Sequence, residues 1–260
     1  MIDGHIHIER GEYTLEWIKK FTDRAIEKNI EEIWLLEHCY RFTEFMPMYD
    51  SVCKYSEYID KWFHKKAGVK ELNDYLELME KVRETDFGVK VMFGLEVCYF
   101  KEYEEFVYDL TKYKDFDFLL GSVHFVDDFA FDHKAEHWVG KDVDLIYARF
   151  FEASIELVKS NIFDGIAHPD SIKLFGHKTL YPLYEYYEEL AKQLSNNNMY
   201  AEQNSGAHRR CPATAELGMD KDMLDAMLRH SVKIVTASDA HEPCDVGDNI
   251  AQLKKSISIG

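Results

Sequence analysis

The residues that could do chemistry begin at the start of the chain, in Asp3-Gly4-His5-Ile6-His7. If Met1 to Ile8 form a β-strand, His5 and His7 project from one face, because side chains alternate along a strand. Two imidazoles on one strand face make half a site for a transition metal. Similar residues recur further on, each at the end of an apolar run. His38 follows Ile33–Leu36, Glu96 follows Val89–Phe93, and His124 follows Phe116–Leu120. His168 follows Ile162–Ala167, and Asp239 and His241 follow Ser231–Thr236. Imidazoles and carboxylates at one recurring register point to a shared multi-metal site, the chemistry of hydrolysis by activated water.

These residues need a scaffold that brings strand ends together. Seven segments read as strands, the six above and Met199–Glu202, mostly separated by helical patterns. Helices are expected at about 14–29, 102–110, 145–159, 183–194, 221–230 and 246–259, and the spacing of Tyr49, Cys53, Tyr58, Ile59 and Trp62 predicts one more. A further helix is expected over Val69–Val82. Strands alternating with helices imply a parallel α/β sheet, most simply a barrel, whose active site lies at the C-terminal ends of its strands. Seven strands is one short of the standard barrel, so the reading calls for a distorted one. Residues 125–141, rich in Asp, His and Phe, form a loop that is either a lid or a solvated surface. No linker divides the 260 residues, which read as one domain over 1–260.

Composition narrows the function further. Apolar residues make up 46% and charged residues 30% of the chain, as in a soluble globular protein. The net charge of −17 disfavours nucleic acid and anionic membrane as partners. No apolar stretch is long enough to span a bilayer and no leader pattern precedes the first strand, so a cytoplasmic location is expected. Five irregularly spaced cysteines do not form a disulfide framework, and Cys39, Cys98 and Cys244 read as small hydrophobes near the motifs.

The ordered motifs Asp3-Gly-His-Ile-His7, His38, Gly94-Leu-Glu96, Gly121-Ser-Val-His124, Ala167-His-Pro169 and Ser238-Asp-Ala-His241 resemble those of the PHP (polymerase and histidinol phosphatase) superfamily. The resemblance spans nearly the whole chain and is greatest to the histidinol-phosphate phosphatases. It implies a distorted seven-stranded (β/α)7 TIM-like barrel. It also implies that His5, His7, Glu96 and Asp239 hold one metal, and that Glu96 bridges to a second held with His124 and His168. His38 and His241 would help to hold a third. Where family members often carry a further histidine for that third ion, this chain reads Glu9-Arg-Gly-Glu12; either Glu12 substitutes as an oxygen ligand or the third ion is weakly bound or absent. Two or three divalent ions are implied, and zinc, iron and manganese all suit such donors.

The implied reaction is hydrolysis of a phosphate monoester, most simply L-histidinol phosphate to L-histidinol and phosphate. Two metals about 4 Å apart can hold a bridging hydroxide and clamp the phosphoryl oxygens. Arg209, Arg210 and Lys173 are candidates to grip phosphate, and Asp239 or His241 to protonate the leaving group. The substrate's imidazole and ammonium could meet the acidic and aromatic loop at 125–138, including Asp132, with Glu12 or Glu44. A PHP phosphoesterase of other specificity (a protein-tyrosine phosphatase, nuclease or general phosphatase) and a non-catalytic metal-binding module are the rival readings. The expected partner is a small-molecule ester, and the expected state a monomer or small homo-oligomer.

Overall fold

The apolar runs do become parallel strands, and the segments between them wind back as helices. The computed structural model describes residues 1–259. Strand β1 (Ile2–His7) is followed by helix α1 (Leu15–Glu27), which starts where the Thr14 hydroxyl accepts the Trp17 N–H. Next comes β2 (Glu32–Leu36) and a long excursion over residues 39–83. The single helix expected from Tyr49 to Trp62 is two, α2 (Asp50–Tyr55) and α3 (Glu57–Lys66), preceded by a 3-10 turn at Thr43–Tyr49. Ser56 makes the break: its backbone is extended and its hydroxyl caps the new helix at Ile59. Helix α4 (Leu72–Arg83) then returns the chain to β3 (Lys90–Cys98).

Helix α5 (Glu104–Thr111) leads to β4 (Phe118–Ser122), after which Phe125–Val126 and Phe129–Ala130 form the small hairpin β5–β6. Helix α6 (Val143–Ser160) precedes β7 (Gly165–Ile166), shorter than its apolar run suggested. Then come α7 (Tyr184–Asn196), β8 (Tyr200–Asn204), the short α8 (Gly206–Arg210), α9 (Lys221–Arg229), β9 (Lys233–Ala237) and α10 (Ile250–Ile259). The sequence reading missed α8.

The seven long-range strands lie in the order β1-β2-β3-β4-β7-β8-β9, every neighbouring pair parallel. The ends of this sheet meet. Thr236 donates to the Ile2 carbonyl, the His7 N–H reaches the Ala240 carbonyl at 2.7 Å, and Ile6 bridges Ala240. The result is a nearly closed seven-stranded barrel. Trp34, Leu36, Phe118, Leu120, Tyr200 and Val235 from four strands, with Ala167 just past β7, form one cluster, the plug of the barrel. Glycines make room for it: a Cβ on Gly94 would stand 2.4 Å from the Phe118 ring, and one on Gly165 2.4 Å from Tyr200. A larger apolar layer packs the helices onto the outside. The plug fills the barrel below its C-terminal mouth, so polar groups that point inward collect above it.

Candidate metal centre

A bulge in the first strand aims the two histidines. From Asp3 to Ile6, β1 advances three residues while β2 advances two, from Ile33 to Leu35. The extra residue lets adjacent positions both lean inward. Gly4 faces Val235 and Trp34 of the plug, while His5 and His7, fully buried, face the mouth above it. Glu96 comes from the interior of β3, because that strand continues to Cys98 in register with β4. His38, His124 and His168 stand just past β2, β4 and β7, and Asp239 and His241 just past β9.

Their donor atoms converge. His5 Nε2 and His7 Nε2 lie 3.5 and 3.4 Å from Glu96 Oε2, and each lies 3.7 Å from Asp239 Oδ1. Ligand atoms arranged tetrahedrally at zinc's bond lengths stand roughly 3.3 Å apart, so this is the spacing of a first coordination set. The two Nε2 atoms face each other at 2.8 Å. Glu96 Oε1 meets a second set, His124 Nε2 at 3.4 Å and His168 Nε2 at 3.1 Å. Glu96 therefore presents one oxygen to each set. A third cluster gathers His7, His38 and His241. His38 Nδ1 comes to 2.8 Å from Glu96 Oε2 without a well-aligned hydrogen bond, and His7 Nδ1 is buried with no partner. Imidazoles packed this closely around one carboxylate fit cations better than they fit one another.

The electrostatics agree. Burial would raise the Glu96 carboxyl, but His38, His124 and His5 around it hold it well below the ordinary range. Burial also opposes protonation of His5, but Glu202, Asp239 and Glu96 raise it well above its usual value. His7 is driven the other way, by burial and then by the like charges of His38 and His241.

The residues 3–206 match the model of the PHP domain. The chain belongs to the PHP domain family. A relative from Deinococcus radiodurans named "Probable histidinol-phosphatase" is 23% identical over 262 residues, covering 99% of this chain and 92% of its own. One of the same name from Schizosaccharomyces pombe is 23% identical over 204 residues, covering 72% of this chain and 66% of its own. Among solved structures, the histidinol phosphate phosphatase of Lactococcus lactis, complexed with zinc, L-histidinol and phosphate, superposes with a TM-score of 0.73 at 18% identity, covering 99% of this chain and 92% of that one. The distorted seven-stranded barrel that the strand count called for and the resemblance implied is the fold observed.

Within this PHP domain several expected residues stand elsewhere than the sequence suggested. Glu12 is at the surface, its side chain 85% exposed, paired with Lys70. The carboxylate beside the third cluster is Glu9, Oε1 3.9 Å from His241 Nε2; the turn at Arg10-Gly11 carries Glu12 away. Lys173 is turned from the metal cluster and held by Asp170 at 2.7 Å and the Gly218 carbonyl. Arg209 lines the cavity but spends its guanidinium on the carbonyls of Ser238 and Asp239, so it braces the turn that carries Asp239. Glu44 caps α4 by accepting the Leu72 N–H. Arg210 does line the cavity, and so does Arg10, which sequence reasoning passed over.

That cavity, about 450 Å³, is bounded by Glu96, His124, His168, Asp239 and the three arginines Arg10, Arg209 and Arg210. It joins a recess of about 260 Å³ walled by Tyr40, Tyr49, Tyr58, Trp62, Phe125 and His133. His38, His124, Asp132 and Arg210 line both. Asp132 Oδ1 is buried there without a partner. The loop at 125–141 thus forms a wall of the site, together with α3.

Proposed function

We propose that this protein is a metal-dependent phosphatase that hydrolyses L-histidinol phosphate to L-histidinol and phosphate. The observation that carries the reading is the pair of imidazole–carboxylate sets sharing Glu96 at the mouth of a cavity that continues into an aromatic recess. The names of the Deinococcus and Schizosaccharomyces relatives, and the zinc, histidinol and phosphate bound by the Lactococcus enzyme, support it.

When bound, divalent ions in these sets supply a nucleophile from water near neutral pH and offset charge on the phosphoryl oxygens. His5, His7, Glu96 and Asp239 would hold one ion, and Glu96, His124 and His168 a second. His38 and His241, with Glu9, would hold a third. Zinc, manganese and iron all suit this mixture of nitrogen and oxygen donors. The remaining groups bind and orient the ester. Arg210, and Arg10 across the cavity, place planar cations over the phosphate. The substrate's flat ring enters the recess against Tyr58, Trp62 and Tyr40, and Asp132 receives its ammonium. Asp239, or His241 where no third ion occupies its Nε2, would pass a proton to the leaving alkoxide; His241 Nδ1 is held by the Asp239 carbonyl at 3.0 Å.

The test compares L-histidinol phosphate, p-nitrophenyl phosphate and a short oligonucleotide on protein reconstituted with zinc or manganese. A kcat/KM for histidinol phosphate higher by about 100-fold or more is expected, because the unpaired Asp132 penalises esters lacking an ammonium. Asp132→Asn should erase most of that advantage. Equal rates on the two small esters, or preference for the oligonucleotide, would reject the substrate assignment.

A further inference from the structure

No metal-type residue in the set above comes from β8, although its end reads Glu202-Gln203-Asn204 and every residue of it is buried. Glu202 is fully buried at the base of the cluster, and both its oxygens are engaged. Oε1 stands 2.8 Å from His5 Nδ1. A carboxylate only accepts, so His5 Nδ1 carries a proton and Nε2, which faces Glu96 and Asp239, is the nitrogen left to bind an ion. Oε2 accepts the backbone N–H of His168 at 3.0 Å and the Asn204 side-chain amide at 2.9 Å.

The second of these contacts falls on an unusual residue. His168 has φ of +28°, a left-handed conformation that a β-substituted residue keeps only when its surroundings enforce it. From that backbone its ring reaches Glu96 Oε1. The Asn204 side-chain oxygen Oδ1 in turn accepts the Gly206 N–H at 2.7 Å. Gly206 lies against Asp239 so closely that a Cβ there would be 2.2 Å from Asp239 Oδ2.

We infer that Glu202 is a positioning residue for both metals, fixing the ring of His5 in the first set and the backbone of His168 in the second from one buried carboxylate. It touches neither substrate nor ion. It acts by presenting two ligands that come from different strands in the orientation the ions need. Such outer partners typically change metal affinity by 10- to 100-fold. Here one side chain serves two sets, so its loss weakens both ions together. This inference rests on the metal-centre reading above and is independent of the substrate.

The test measures zinc affinity by competition with a chromophoric chelator, for wild type, Glu202→Gln and Glu202→Asp. Glu202→Gln keeps the size but leaves a weaker, neutral acceptor at one partner and turns an NH2 donor on the other, and Glu202→Asp keeps the charge but is one methylene too short to reach both partners. Glu202→Gln should weaken each tightly bound zinc about 10- to 100-fold, with the melting temperature of the metal-free protein close to wild type. Glu202→Asp should recover part of the loss at one set only. Wild-type zinc affinity in Glu202→Gln overturns the inference, as does a loss confined to one ion. A wild-type protein that binds no zinc or manganese would instead reject the metal centre itself. Imidazole nitrogen NMR of the metal-free wild type gives a readout that needs no variant. His5 lacking a proton on Nδ1, or showing no bond from Nδ1 to Glu202, overturns the inference.

Discussion

At the scale of single residues, the site turns on which carboxylates face inward. Glu96 works because β3 carries it past the plug with one oxygen toward each imidazole set. Glu9 and Glu12 differ by three positions and sit on opposite sides of a turn, one near His241 and one in solvent beside Lys70. Glu12→Ala should therefore leave bound metal unchanged and activity within about twofold, as expected of a surface pair worth little. Glu9→Gln should lower bound metal by one equivalent if it completes the third cluster. Elemental analysis after removal of loosely bound ions decides between them. Loss of an equivalent on Glu12→Ala instead would return the third site to the sequence's first choice. Arg209 shows a similar inversion. A planar cation near a phosphate site suggests a grip on the substrate, but its hydrogen bonds go to the carbonyls of the Ser238–Asp239 turn, where Asp239 has φ of +56°.

Elements fix these side chains through a few close approaches and caps. Gly206, the first residue of α8, leaves no room for a side chain beside Asp239. Gly206→Ala must push the Asp239 carboxylate aside. Misplacement of a reacting group by about 1 Å costs on the order of 100-fold in rate, and kcat should fall by about that much while the variant stays folded. Steady-state kinetics at saturating zinc and circular dichroism check both parts. Asp220 caps α9, accepting the Asp222 and Met223 N–H groups, and burial followed by the nearby Asp170 and Asp222 carboxylates raises its pKa despite those bonds. The folded state then keeps the proton to higher pH than the unfolded state, so the stability it contributes falls as pH rises from the unfolded value of about 3.9 through the raised folded one. Asn caps a helix about as well as Asp. Asp220→Asn should thus match wild type in strong acid and gain in relative melting temperature as pH rises to 7. An advantage that shrinks with rising pH would contradict this. The half-exposed position keeps the effect small.

Across the whole molecule, what could be read from sequence followed from the architecture. In a parallel barrel the strands are apolar runs and the mouth lies at their C-terminal ends, so a histidine after such a run already has an address. That logic located His5, His7, His38, His124, His168, Asp239 and His241 without coordinates. It was silent where the address depends on local geometry. The bulge at Gly4-His5 leaves no residue-type signature. Glu202 closes the expected strand Met199–Glu202, but sequence reasoning passed it over; β8 runs on to Asn204 and buries it behind His5. Ser56 splits one expected helix into two, and the pieces bring Tyr58 and Trp62 over the cavity. The recess is therefore built by residues 75 positions apart in the chain, Tyr58 with His133, which no local pattern connects.

The central claim is that residues from His5 to His241 share cations in one pocket. Crystals of protein loaded with zinc, with anomalous diffraction collected on both sides of the zinc absorption edge, test it most directly. One peak should lie between His5, His7, Glu96 and Asp239 and another between Glu96, His124 and His168, with Glu96 between the two. A map with no peak at either position under saturating zinc, or with zinc bound only at surface histidines, would contradict the account.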